Sequence, residues 1–155
     1  MTNLSGEPLR AGQRVLALDY GQKRVGVAVS DALLLLAHGR ETVPYRSQRD
    51  LLERLQAIIK RESVSLIVVG LPRNMNGTEG EMSQKVRAFI EVLEQHAQLP
   101  VVPWDERLSS RQAERTLTEL GKSTREQRQV VDQLAAVFIL QSYLDNLATQ
   151  RKQNA

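Results

Sequence analysis

"ALDYGQKRVGVAVSD", residues 17–31, decides the fold. An apolar run from Val15 to Leu18 ends on a carboxylate, Asp19, and a short polar stretch from Tyr20 to Lys23 leads straight into a second apolar segment. The first run is continuous, as in a strand covered on both faces. The second, Arg24 to Asp31, alternates. Val25, Val27 and Val29 lie on one side with Gly26 and Ala28 on the other, so the small face predicts close approach by backbone or a helix. The polar stretch between them reads as the turn of a hairpin.

Outward from the hairpin, residues 1–13 are polar and contain glycine, which predicts a flexible leader, with structure beginning near Arg14. A third strand is expected within Leu34 to Tyr45. From Ser47 the period becomes helical: Leu51, Leu52, Leu55, Ile58 and Ile59 share a face, and Ser47 is placed to cap. "SLIVVGLP" (65–72) predicts a buried strand ended by Gly70 and Pro72. Met82, Val86, Phe89, Ile90 and Leu93 mark a second helix, and "LPVVPW" (99–104) the next strand. Ser109 is expected to cap a helix that stops at Gly121, and Thr124 a last helix running to about Ala148. Three antiparallel strands followed by helix–strand units make a mixed five-stranded sheet flanked by helices. The reading is one α/β domain over residues 14–148 with a polar tail at 149–155.

Composition narrows the chemistry. At 155 residues, 41% apolar and 25% charged, usage is that of an ordinary globular chain. Cysteine is absent, which removes disulfides, thiol catalysis and thiolate zinc sites. His38 and His96 are the only histidines, so a bound metal needs oxygen ligands, which points to magnesium or manganese. No signal-peptide pattern and no apolar run of membrane-spanning length is present, which points to the cytoplasm and away from a membrane. Lys and Arg exceed Asp and Glu by 21 to 18, a mild basic excess compatible with a polyanion partner. Three tyrosines, two phenylalanines and one tryptophan leave little for a base-stacking platform.

Three acids break the apolar pattern. Asp19 ends the first strand; Glu106 follows the last strand, at the edge where open α/β sheets place their ligands; Asp132 lies in "QVVDQLAAVFIL", apolar nearly all round. A buried unpaired carboxylate costs several kcal/mol unless a partner or a cation holds it. Each also has a structural reading. Asp19 could bond its own turn, Glu106 with Asp105 could complement the dipole of the helix expected near Ser109, and Asp132 could pair with Arg128 one turn earlier.

"LALDYGQKRVGVAVSD", "LIVVGLPRNMNGTEGEMSQKVRAF", "VPWDERLSSRQAERTL" and "VDQLAAVFILQSYL" together resemble the YqgF family, also called RuvX. These are pre-16S ribosomal RNA nucleases related to Holliday junction resolvases. The blocks occur in the family's order across nearly all of residues 15–144. The resemblance implies a ribonuclease H-like fold, precursor ribosomal RNA as substrate with pre-ribosomal association, and catalytic, metal-holding acids at Asp19, Glu106 and Asp132. Two magnesium ions about 4 Å apart can both activate water and neutralise charge at a scissile phosphate. Without metal the three acids would repel one another and the substrate.

Substrate candidates surround these acids. Gly21 would let backbone approach a phosphate, and Lys23, Arg24 and Arg107 could steer a polyanion or simply be solvated. Arg73, Asn74, Asn76, Gly77 and Thr78 lie between a strand and a helix, a natural phosphate-contacting place or an ordinary polar connection. Tyr20 and Trp104 flank the acids and could stack a base, although a Trp ending an apolar strand is more often core. Two alternatives stay open. A Holliday junction resolvase would share the chemistry but act as a dimer, and monomer and homodimer are both compatible with this sequence. A non-catalytic nucleic-acid-binding module is the other: "DYGQKRVGVAV" is also similar to the first phosphate-binding turn of actin-like ATPases and sugar kinases, which need two such lobes.

Overall fold

The computed structural model describes residues 12–74, 76–106 and 125–153, with the side chains of 125–131 and 151 outside the description. β1 (Arg14–Tyr20) and β2 (Arg24–Ser30) form the expected antiparallel hairpin, in a register that sets Asp19 opposite Gly26 and Tyr20 opposite Val25. Gly21 closes the turn by donating its N–H to the Arg24 carbonyl at 3.0 Å.

The third strand divides in two. β3 (Ala37–Gly39) and β4 (Val43–Pro44) both pair antiparallel with β2, so a sixth, two-residue strand joins the five-strand path. The break falls at residues 40–42: the Arg40 N–H still reaches the Val27 carbonyl at 2.8 Å, while its guanidinium turns to Glu62, with Nε 2.7 Å from Oε1.

After Ser47, whose hydroxyl accepts the Asp50 N–H at 3.1 Å, α1 (Gln48–Arg61) begins as its spacing predicts. β5 (Val64–Leu71), α2 (Glu81–Ala97) and β6 (Val101–Asp105) follow. α2 ends at Gln98, which takes the left-handed conformation at φ 55° and donates to the Glu94 carbonyl. The last described element is α3 (Arg125–Gln153). It continues past Ala148 because "TQRKQ" consists largely of good helix formers, with the Thr149 hydroxyl donating to the Asp145 carbonyl. The helix expected between Ser109 and Gly121, and the cap at Thr124, lie outside the described residues.

The sheet runs β3-β2-β1-β5-β6, with β1, β5 and β6 parallel, so their carboxyl ends share one edge. Strand alternation builds a core on each face. Leu16, Leu18, Val25 and Val27 meet Leu51 and Leu55 of α1 and Phe89 and Leu93 of α2. On the opposite face Val15, Ala17, Ala28, Leu66 and Val68 meet Ala136, Ile139, Leu140 and Leu144 of α3. Each such aliphatic side chain contributes about 1.5–3 kcal/mol on full burial, so α3 is bound by its apolar stripe along the length of β1. No helix among the described residues is long and apolar enough to cross a membrane.

Candidate active site

The alternation that puts Val15 and Ala17 under α3 continues to Asp19 at the carboxyl end of β1. On β6 the same face carries Val102 and Trp104, and two residues on it carries Glu106. Two glycines make room for what covers these acids. A Cβ at Gly26 would lie 2.2 Å from the Asp132 carbonyl oxygen and 3.5 Å from the Cβ of Asp19, so its absence lets the backbone of α3 rest on β2 beside the first acid. A Cβ at Gly70 would lie 2.6 Å from Ile139 Cδ1 and 2.8 Å from Glu106 Oε1, so the Glu106 carboxylate occupies the space above the end of β5. The close contact expected on the small face of β2 is therefore the third acid's own helix. Gly70, which reads in the sequence only as a strand end, is the second enabling position.

The electrostatics single out two of the three acids. Burial pushes the Asp19 carboxyl up to about 6, the negative charge of Asp132 adds to this, and a hydrogen bond with Glu106 partly offsets it. Burial pushes Glu106 up to about 7, reinforced by the charge of Asp19, their shared hydrogen bond and Asp105. The pair holds a proton between them into the neutral range. Asp132 has a cationic partner: Arg24 Nε donates to its Oδ2 at 2.5 Å. That partner lies across the fold on β2; Arg128, its candidate partner from sequence, has its side chain outside the description.

The donor set suits a hard divalent cation. All three groups are carboxylates, both histidines lie on other elements, and two of the acids are pushed up by burial and by the charge of neighbouring acids, which added positive charge would relieve. Among the described residues no three ligating side chains already converge on one point. The carboxylate of Asp132 is turned to Arg24 while those of Asp19 and Glu106 are joined to each other.

The remaining candidates separate. Gly21 serves the hairpin: a Cβ there would lie 2.5 Å from the Arg24 carbonyl oxygen, which requires glycine whatever binds. Lys23 is exposed beside it, with its carbonyl accepting the Tyr45 N–H at 2.8 Å. In the 73–78 connection the polar groups close on one another. Asn74 Nδ2 donates to Thr78 Oγ1 at 3.0 Å, Thr78 Oγ1 to Asn76 Oδ1 at 2.6 Å, and Gly77, at φ 85°, returns its N–H to the Asn74 carbonyl. Arg73 is exposed at its start. Arg107 lies outside the described residues. Tyr20 stacks on Phe89 at 4.3 Å on the sheet face away from Asp19. Trp104 packs edge-on to Tyr143 at 5.2 Å and donates to Ser142 Oγ at 3.1 Å, a core role.

Comparison with known proteins identifies the family and the fold. Residues 13–146 match the family described as "RuvX: Holliday junction resolvase". A "Putative pre-16S rRNA nuclease" of Geobacillus sp. (strain WCH70) is 49% identical over 135 residues, covering 86% of this chain and 98% of that protein. One of the same description from Desulfitobacterium hafniense (strain DSM 10664 / DCB-2) is 45% identical over 141 residues, covering 91% and 98%. Among solved structures, T. thermophilus RuvC in complex with a Holliday junction substrate superposes with a TM-score of 0.55 at 17% identity, covering 84% of this chain and 94% of that one. The Fowlpox virus resolvase bound to Holliday junction DNA gives 0.51 at 14% identity, covering 87% and 99%. These likenesses show the ribonuclease H-like fold.

Proposed function

The chain belongs to the RuvX family, and from that premise we propose that it is a divalent-metal-dependent nuclease that hydrolyses phosphodiester bonds in precursor 16S ribosomal RNA. The observation that carries the reading is the pairing of Asp19 and Glu106 at the ends of β1 and β6, with Asp132 brought beside them by Gly26. Magnesium or manganese held by these three acids would lower the pKa of a bound water and neutralise charge at the scissile phosphate.

The chain's own residues set the conditions for that chemistry. Asp19 is fixed by the hairpin register and by the helix above it, so its carboxylate has little freedom to move. Asp19 and Glu106 share a hydrogen bond, so the pair must give up its proton for both carboxylates to be charged. The ring of acids repels a bare phosphate, so nucleic acid approaches only when cations are present. The substrate assignment is supported by the description of relatives at 45–49% identity over most of their length. The structural neighbours, at 14–17% identity, support the fold alone.

The deciding experiment incubates purified protein with labelled precursor 16S RNA and, separately, a synthetic four-way DNA junction, in magnesium, manganese or EDTA. Cleavage of the RNA that needs metal and is lost in Asp19→Asn, with RNA binding retained, is the expected result. Cleavage of the junction alone would replace this substrate with branched DNA. Binding without product under every condition would make the protein a nucleic-acid-binding module.

A further inference from the structure

Arg24 opens β2, and the alternation Arg24, Gly26, Ala28 puts its side chain on the face covered by α3. From there it reaches Asp132 with Nε at 2.5 Å, the two side chains being 34% and 21% exposed. The Asp132 carboxylate is held by this contact, and among the described residues it does not converge with Asp19 and Glu106 on one point. The Asp132 backbone has little freedom of its own, because its carbonyl rests where Gly26 lacks a Cβ. Any change in where the Asp132 carboxylate points is therefore a side-chain rotation, and its partner decides the direction.

We propose that Arg24 is a positioning residue that acts through Asp132, its guanidinium holding the helix carboxylate as a stand-in for the metal and yielding it when a divalent cation enters. This rests on the three acids being a cation site. Two physical points support it. A guanidinium is permanently charged, so the hold on Asp132 persists at any pH at which the enzyme works. The pair is also partly open to solvent, so the released guanidinium can be rehydrated when a divalent cation facing three carboxylates competes for Asp132. The sequence offers no local sign of this pairing, since its members are 108 positions apart.

The test is equilibrium binding of Mn2+ to the metal-free full-length chain, read by titration calorimetry and by the spectrum of free Mn2+, which needs no substrate and no turnover. Arg24→Gln removes the competitor and should tighten Mn2+ binding by roughly threefold or more, the size set by a surface-type ion pair. Arg24→Lys keeps the charge and should stay within about twofold of wild type. In an Asp132→Asn background the Arg24→Gln change should lose its effect. Arg24→Met carries the same expectation should the glutamine variant not fold. Unchanged or weaker Mn2+ binding in Arg24→Gln overturns the proposal, because a merely structural role can only weaken the site. Equal tightening with Asp132 removed also overturns it, since the gain would then be net charge alone. Wild-type protein that binds no Mn2+ overturns the cation site itself, and this inference with it, and is distinguished by that result from a failure of Arg24 alone.

Discussion

The two ends of one set of strands treat acidic residues in opposite ways. At the amino end, Glu62 sits between cations: Arg14 Nη1 and Arg40 Nε both lie 2.7 Å from its oxygens and Arg61 Nε lies 3.7 Å away. These bonds hold its carboxyl below the usual range and tie the start of β1, the link before β4 and the end of α1 together. At the carboxyl end, Asp19 and Glu106 face each other and are pushed up, while the cation present is directed to Asp132. A fold that neutralises an acid so thoroughly at one end could do so at the other. The carboxyl end instead gathers acids whose charged forms burial and neighbouring acids disfavour, which on the proposed reading suits an added cation.

Exchanging the roles of the two ends sharpens the contrast most. Glu106→Gln should lower metal-dependent RNA cleavage by roughly 100-fold or more, whereas Glu62→Gln should leave the rate within about twofold, both read as single-turnover rates at saturating protein. Equal losses would erase the distinction between the ends. The next largest effect belongs to the glycine that lets α3 down onto the sheet. Gly26→Ala puts a Cβ against the Asp132 carbonyl and should destabilise the protein by about 3 kcal/mol in urea unfolding. Gly39→Ala, whose Cβ would meet nothing nearer than Gln133 Oε1 at 3.5 Å on the same face, should cost about 1 kcal/mol or less.

Stability against pH separates the ends by sign. Asp19 and Glu106 bind protons more tightly folded than unfolded, with folded values of about 6 and 7. Their favourable contribution is complete below the ordinary carboxylate range and is lost as pH rises through those values. In EDTA, Glu106→Gln should therefore be more stable than wild type by about 1–2 kcal/mol at pH 8, with the gain vanishing near pH 4. Glu62 is depressed, so its contribution is present above the ordinary range and is lost as pH falls through its folded value. Glu62→Gln should cost about 1 kcal/mol at pH 8 and progressively less in acid, read from the same unfolding curves.

Much of this arrangement was legible in the sequence because it is local. The hairpin, α1 with its Ser47 cap and the small face of β2 follow from periodicities of two and of about 3.6 within short windows. Asp19 and Glu106 stood out because each follows an apolar strand, and the structure puts them in contact. Asp132 stood out for its apolar surroundings, yet its partner could not be read, because the pairing with Arg24 exists only after α3 has docked. Asn74, Asn76 and Thr78 read in the sequence as a phosphate-contacting place or an ordinary polar connection; their bonds to one another are a choice of rotamers that composition does not record. Splitting of the third strand was equally hidden, since the Arg40 side chain turns to Glu62 at the far end of α1, 22 positions away.

The placement of Asp132 on the last helix gives the site a birth order. Translation supplies Asp19 first and Glu106 much later, and both wait in an unfinished sheet whose α3 face is bare. Only when the final helix has emerged and settled over Gly26 do all three acids belong to one surface. On the proposed reading, a chain still tethered to the ribosome would carry two of the acids without the third, and docking of α3 would be the step that assembles the site.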